Sequence, residues 1–206
     1  MFPQFPDIFE HLCYYTKVKL NKPIFVVSKR ADSLTEALKK SPHAVTVWVR
    51  SGKYKDKFPL LRTSIAYQTS SASDALDYRK RFISTVLVPG THTKLSVLKS
   101  VSGRDIRQVL SYTKSDRVIR TATHDTDYFK SKRTFLSWKR RGKTVYSLIN
   151  RHGKLFGIIW FNKGVRTLRI YPPGRKKGVA RKFSEIVRGD FEEGSRKSAT
   201  PKDGKG

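Results

Sequence analysis

Residues 171–183 read YPPGRKKGVARKF, and the residue types and their spacing are those of an anion site. An extended segment ending in IYPP runs into GRKKGVA and then into a helical pattern. The first turn of a helix offers backbone N–H groups with no intrahelical acceptor and a partial positive charge, and glycine lets such a backbone approach a diphosphate closely. Gly174 and Gly178 would give that clearance, while Arg175, Lys176 and Lys177 would add formal charge. In a very basic chain the same residues also read as an ordinary surface turn. The elements around them have to decide between the two.

From residue 93 onward the pattern is regular. KLSVLKS at 94–100 reads as a strand, and Ser102 followed three residues later by Asp105 marks the start of a helix running through RQVLSY. Residues 113–129, TKSDRVIRTATHDTDYF, read as a mixed connector. Ser131 caps a second helix, KRTFLSWKRR, whose Phe135, Leu136 and Trp138 can form an apolar stripe, with Gly142 as its stop. TVYSLIN at 144–150, LFGIIWF at 155–161 and VRTLRIY at 165–171 read as three consecutive strands. The first two are joined by a turn at 151–154, and the last two by the tight hairpin signal Asn162, Lys163, Gly164. A final helix is expected over about 179–187. Residues 189–206 have no apolar period and read as a disordered basic tail.

The first 90 residues give one readable unit. PIFVV at 23–27 and AVTVWVR at 44–50 read as strands around a helix at 32–40, an α/β segment of unknown role. Residues 51–73 read mostly as loop, followed by a helix in DALDYRKRF and a strand in ISTVLV at 83–88. Pro89-Gly90 is the natural punctuation, which divides the chain into residues 1–90, 91–188 and the tail 189–206.

Composition bounds the functional classes. The chain has 206 residues with 37% apolar and 12% aromatic content, enough for a core. Its single cysteine, Cys13, excludes an intrachain disulfide and a cysteine-rich zinc site, and His11, His43, His92, His124 and His152 lack ligand spacing, so no metal is expected. No apolar run is long enough for a bilayer, and MFPQFPDIFE lacks the basic start and apolar run of a signal peptide, which makes a cytoplasmic protein without membrane association the expectation. The formal net charge is +28; residues 1–90 hold 15 Lys and Arg against 7 Asp and Glu, and residues 91–206 hold 29 against 9. Such a field attracts polyanions, so a basic RNA- or DNA-binding protein stays open as the alternative, with phosphates met by cations and bases by strand aromatics.

The loop and the order of elements before it resemble the GNAT family of N-acetyltransferases. Arg175 to Ala180, RKKGVA, is similar to the R/Q-x-x-G-x-G/A signature of that family, and a strand, two helices, three antiparallel strands, the loop and a helix occur in the family's order over roughly residues 93–188. The resemblance implies an α+β fold built on a mixed, mainly antiparallel sheet flanked by helices, with acetyl-CoA as cofactor and transfer of its acetyl group directly to an amine acceptor. It implies that Leu168, Arg169, Ile170 and Tyr171 pair with the pantetheine arm, and that Arg175, Lys176, Lys177, Gly178, Val179 and Ala180 hold the diphosphate. No catalytic base is assigned: VRTLRIY has no acid, and Asp125 and Asp127 read as solvated loop residues on the acceptor side. Trp160 and Phe161 could line a substrate groove or simply be core. The family also has a further strand after the cofactor helix, and a tyrosine-bearing helix beyond it, for which residues 189–206 offer no counterpart. Residues 1–90 would then supply the missing wall, a second chain would complete the sheet, or the domain is a reduced member that has lost turnover.

Overall fold

The computed structural model describes residues 23–50, 64–122 and 129–199. The chain divides into two compact units, Met1–Lys80 and Arg81–Gly206. The first contains β1 (Phe25–Ser28), α1 (Ala31–Lys40), β2 (Val45–Val49), β3 (Ile65–Thr69) and α2 (Ala72–Arg81) except its last residue, Arg81, which belongs to the second unit. Its three strands are parallel in the order β1-β2-β3. Every residue of the central VTVWV is buried, as expected for a parallel strand flanked on both sides, and Leu34 of α1 packs with Trp48 and Ile65. β3 lies within the stretch read from sequence as loop, because only Ile65, Ala66 and Tyr67 are buried in an otherwise polar surrounding. Tyr67 stacks on Tyr78 at 4.4 Å and donates to Asp74 at 2.7 Å, which fastens α2 to the strand.

The second unit is a five-stranded antiparallel sheet with helices, so the protein as a whole is α+β, with six α-helices and eight strands among the described residues. Its elements are β4 (Phe82–Leu87), β5 (Lys94–Lys99), α3 (Gly103–Ser115), α4 (Arg117–Ala122), α5 (Lys132–Arg140), β6 (Thr144–Asn150), β7 (Leu155–Asn162), β8 (Val165–Ile170), a 3-10 turn Pro172–Gly174, and α6 (Val179–Ala199). The strand order is β4-β5-β6-β7-β8. Both helix starts expected from sequence are capping boxes, Ser102 with Asp105 and Ser131 with Thr134. The hairpin turn after β7 takes left-handed φ at Lys163 (48°) and Gly164 (81°), as a two-residue primed turn requires. Within the connector at 113–129 the chain forms α4, started by Asp116, whose Oδ1 accepts from the N–H groups of Val118 and Ile119.

Two expectations about boundaries are corrected. The division between units falls at residue 80, because β4 pairs with β5 in a hairpin closed by Val88 N–H to Thr93 O at 2.9 Å; Pro89-Gly90 is the turn of that hairpin and not a boundary. The segment ISTVLV therefore extends the sheet at the edge remote from β8, and AVTVWVR belongs to the other sheet. Neither supplies a neighbour for β8. The expected disordered tail is also helical as far as Ala199, since α6 runs 21 residues. Phe183, Val187 and Phe191, each four apart, keep one face of that helix on the sheet, and Phe191 stacks on Phe161 at 3.9 Å. Residues 200–206 lie outside the described residues.

The sheet of the second unit has an apolar cluster on each face. Leu95, Val97, Tyr146, Leu148, Ile159 and Phe161 pack with Val179, Phe183 and Val187 of α6. On the other face Phe129, Phe135, Trp138 and Trp160 form an aromatic cluster with centroids 5.1–6.0 Å apart.

Candidate functional site

β8 is an edge strand, and no described strand pairs with its outer side. The N–H of Tyr171 donates to Phe156 O of the neighbouring strand segment at 2.9 Å. Because a strand alternates every two residues, Arg169 and Thr167 likewise turn their backbone groups to β7, and Arg166, Leu168 and Ile170 turn theirs outward. Of the four residues expected along a pantetheine arm, Leu168 and Ile170 thus present backbone groups at the open edge. Arg169 and Tyr171 do not; their backbones belong to the ladder. The Arg169 guanidinium lies over the Trp160 ring at 5.2 Å. Tyr171 is fully buried and stacked on Tyr112 at 4.8 Å, its hydroxyl has no hydrogen-bond partner among the described residues, and burial holds its phenol far above the usual tyrosine pKa.

Beyond β8 the chain turns tightly. Gly174 is buried, and a Cβ there would stand 2.7 Å from Phe156 O, so its small size serves packing against β7 and not ligand clearance. Arg175 is also committed within the protein: its Nη2 pairs with Asp116 Oδ2 at 2.5 Å, and its Nε donates to Ile170 O at 3.3 Å. It ties the loop to the start of α4 and covers the last outward carbonyl of β8. The N–H groups of Gly174, Arg175 and Lys177 close turns onto Tyr171, Pro172 and Gly174.

What remains outward is Lys176, Lys177 and Gly178, all exposed, leading into the first turn of α6. Lys176 (φ 57°) and Gly178 (φ 65°) both hold left-handed backbone, and a Cβ at residue 178 would also crowd Pro89 at 3.1 Å. Lys176 and Lys177 take part in no ion pair among the described residues, whereas Arg181 and Lys182, one turn on, both face Glu185. The Val179 side chain is buried in the core, so that residue and Ala180 could contribute only backbone N–H groups. This donor set, two unpaired lysines beside a helix start and a left-handed glycine, suits a diphosphate. An adjoining open strand edge suits an amide-bearing arm.

Two further groups bear on chemistry. Lys139 donates to Ser100 Oγ at 2.7 Å; burial, and then the nearby Arg81 charge, hold its ammonium below the usual lysine pKa. Ser100 itself has φ 75°, and Arg81 pairs with the buried Asp105 at 3.2 Å. Of the two residues expected to line a substrate groove, Trp160 lines a groove and Phe161 does not: consecutive strand residues face opposite sides, and Phe161 lies under α6. A groove of about 430 Å³ opens beside Trp138 and Trp160, with Arg141, Lys143 and Lys163 among its lining. Nothing in the sequence singles out those cations, because Arg141 and Lys143 belong to the basic run 139–143 at the end of a helix and Lys163 sits in a hairpin turn. Asp125 and Asp127 lie outside the described residues. Among the described residues no group of His, Cys, Asp and Glu side chains could hold a metal, and no helix is long and apolar enough to cross a membrane.

No protein-family model, curated protein or solved structure matches the chain.

Proposed function

We propose that the second unit binds coenzyme A thioesters in the manner of a GNAT-type N-acetyltransferase and delivers the acetyl group of acetyl-CoA to an amine. The observation that carries the reading is the continuity of an open β8 edge with a left-handed, lysine-bearing loop at the start of a 21-residue helix. The element order supports it too: a strand, helices on one face, three antiparallel strands, the loop, and a helix returning to the opposite face.

Lys176 and Lys177 would meet the diphosphate with charge, and the N–H groups of Gly178, Val179 and Ala180 would meet it with hydrogen bonds. The outward backbone of Leu168, and the N–H of Ile170, would pair with the amide arm. Arg175 would act one step back, holding the loop in register through Asp116. Acetyl-CoA, when bound, supplies a thioester whose C–S bond breaks as the C–N bond to the acceptor forms, the amine proton passing to the leaving sulfur. No residue of this chain is assigned as base.

Calorimetric titration with coenzyme A tests the reading. Lys176→Glu with Lys177→Glu should weaken binding by about tenfold or more, since two attractive charges become repulsive at an exposed site that does not hold the fold together. Equal affinity of the variant and the wild type would refute it.

A further inference from the structure

The groove beside Trp138 and Trp160 opens at the end of β8 opposite to the lysine loop. Val165 and Thr167 of β8 line it, and the loop begins past Ile170, so the two lie about 13–20 Å apart along one strand, at about 3.3 Å per residue. Its volume of about 430 Å³ falls in the range of small-molecule sites. Its floor is apolar and fixed: Trp138 is 5% and Trp160 4% exposed, the two indoles meet edge to face at 5.4 Å, and Arg169 covers the Trp160 ring. Among the described residues its lining charge is of one sign: Lys143 and Lys163 line it together with Arg141, and no described carboxylate does, while Asn162 and Thr167 add neutral hydrogen-bonding groups.

A bare amine, cationic in water, would be repelled from such a site, whereas a phosphate or carboxylate would be drawn in. Resting on the transferase reading above, we propose that this groove is the acceptor site and that the acceptor is a small amine that also carries a phosphate or carboxylate. The anion is held by Lys143 and Lys163, and the apolar part of the molecule lies against the edge of the tryptophan pair. The open edge of β8 runs from this groove to the lysine loop, so that an amine anchored here faces a thioester laid along that edge.

The chain has three tryptophans, two of which line the groove, so the indole N–H resonances of the isotope-labelled full chain report on it directly and without coenzyme A. O-phosphoserine and glutamate should shift the Trp138 and Trp160 signals saturably and leave that of Trp48 in place. Ethanolamine and spermidine should move none of the three, and inorganic phosphate should bind more weakly than O-phosphoserine. Lys143→Glu with Lys163→Glu should weaken O-phosphoserine binding about tenfold while coenzyme A affinity, measured separately by calorimetry, stays unchanged. The proposal is overturned if neither amino acid moves the two signals, if spermidine binds as well as they do, if inorganic phosphate binds as tightly as O-phosphoserine, or if the variant binds like the wild type. Since the indole signals read the groove and calorimetry reads the loop, loss of the transferase reading and loss of this one give different results.

Discussion

The Arg175 guanidinium neutralises a carboxylate, Asp116, whose side chain is 6% exposed. Removing one partner of a fully buried pair costs about 3–5 kcal/mol, and because Arg175 itself is a third exposed we expect roughly 2 kcal/mol for Arg175→Ala, read from the denaturant midpoint. Coenzyme A affinity should fall less in that variant than in the Lys176 and Lys177 variants, which in turn should keep their stability. Tyr171 gives a prediction in pH. Its phenol is held above the ordinary value of 10, so between pH 10 and its folded value the unfolded chain has lost a proton that the folded chain keeps, and stability declines as pH rises, by up to about 1.4 kcal/mol per pH unit. Below pH 10 this contribution is constant. Tyr171→Phe removes the titrating group, and since the hydroxyl has no hydrogen-bond partner among the described residues, the variant should match wild type at pH 7 and lose stability less steeply above pH 10. An equal slope for both proteins would show that other groups govern the alkaline limb.

Among the elements, α6 does most to join the sheet to the loop. Beyond its buried start, Asp190 accepts from Tyr146 at 2.8 Å and Lys99 at 2.9 Å, and Phe191 stacks on Phe161. Phe191→Ala should therefore cost about 1.5 kcal/mol, less than a fully buried phenylalanine, and Phe191→Leu noticeably less; a cost near zero by chemical denaturation would mean that the last turns of the helix do not hold. Those turns were not legible in sequence because Gly189, Gly194 and a run of charges hide a single aromatic on the right period. The starts of α3 and α5 were legible, since Ser102 with Asp105 and Ser131 with Thr134 encode their own local bonds. The hairpin at Asn162 was legible for the same reason. The partner of β4 was not, because a Pro-Gly turn marks a hairpin and a boundary equally well. At the site, the loop residues were visible as types, but which cations were already paired depends on Asp116, which lies 59 positions away from Arg175 in the chain.

At the scale of the whole molecule, a net charge of +28 with no base-reading motif should give weak nucleic-acid binding without sequence preference. Filter binding of unrelated RNA and DNA oligomers should show similar affinities that fall steeply with salt, and a strong preference for one sequence surviving high salt would favour the nucleic-acid reading instead. The same charge draws in a diphosphate from any direction, so the site is distinguished by where coenzyme A binds and not by affinity alone. Backbone amide spectra of the labelled chain titrated with coenzyme A test it most directly. The amides of Arg166, Leu168 and Ile170, which point out from the open edge, should shift together with those of Gly178, Val179 and Ala180, while Thr167 and Arg169, turned to β7, shift less. Shifts scattered over the basic surface, or confined to residues remote from β8 and the start of α6, would contradict it.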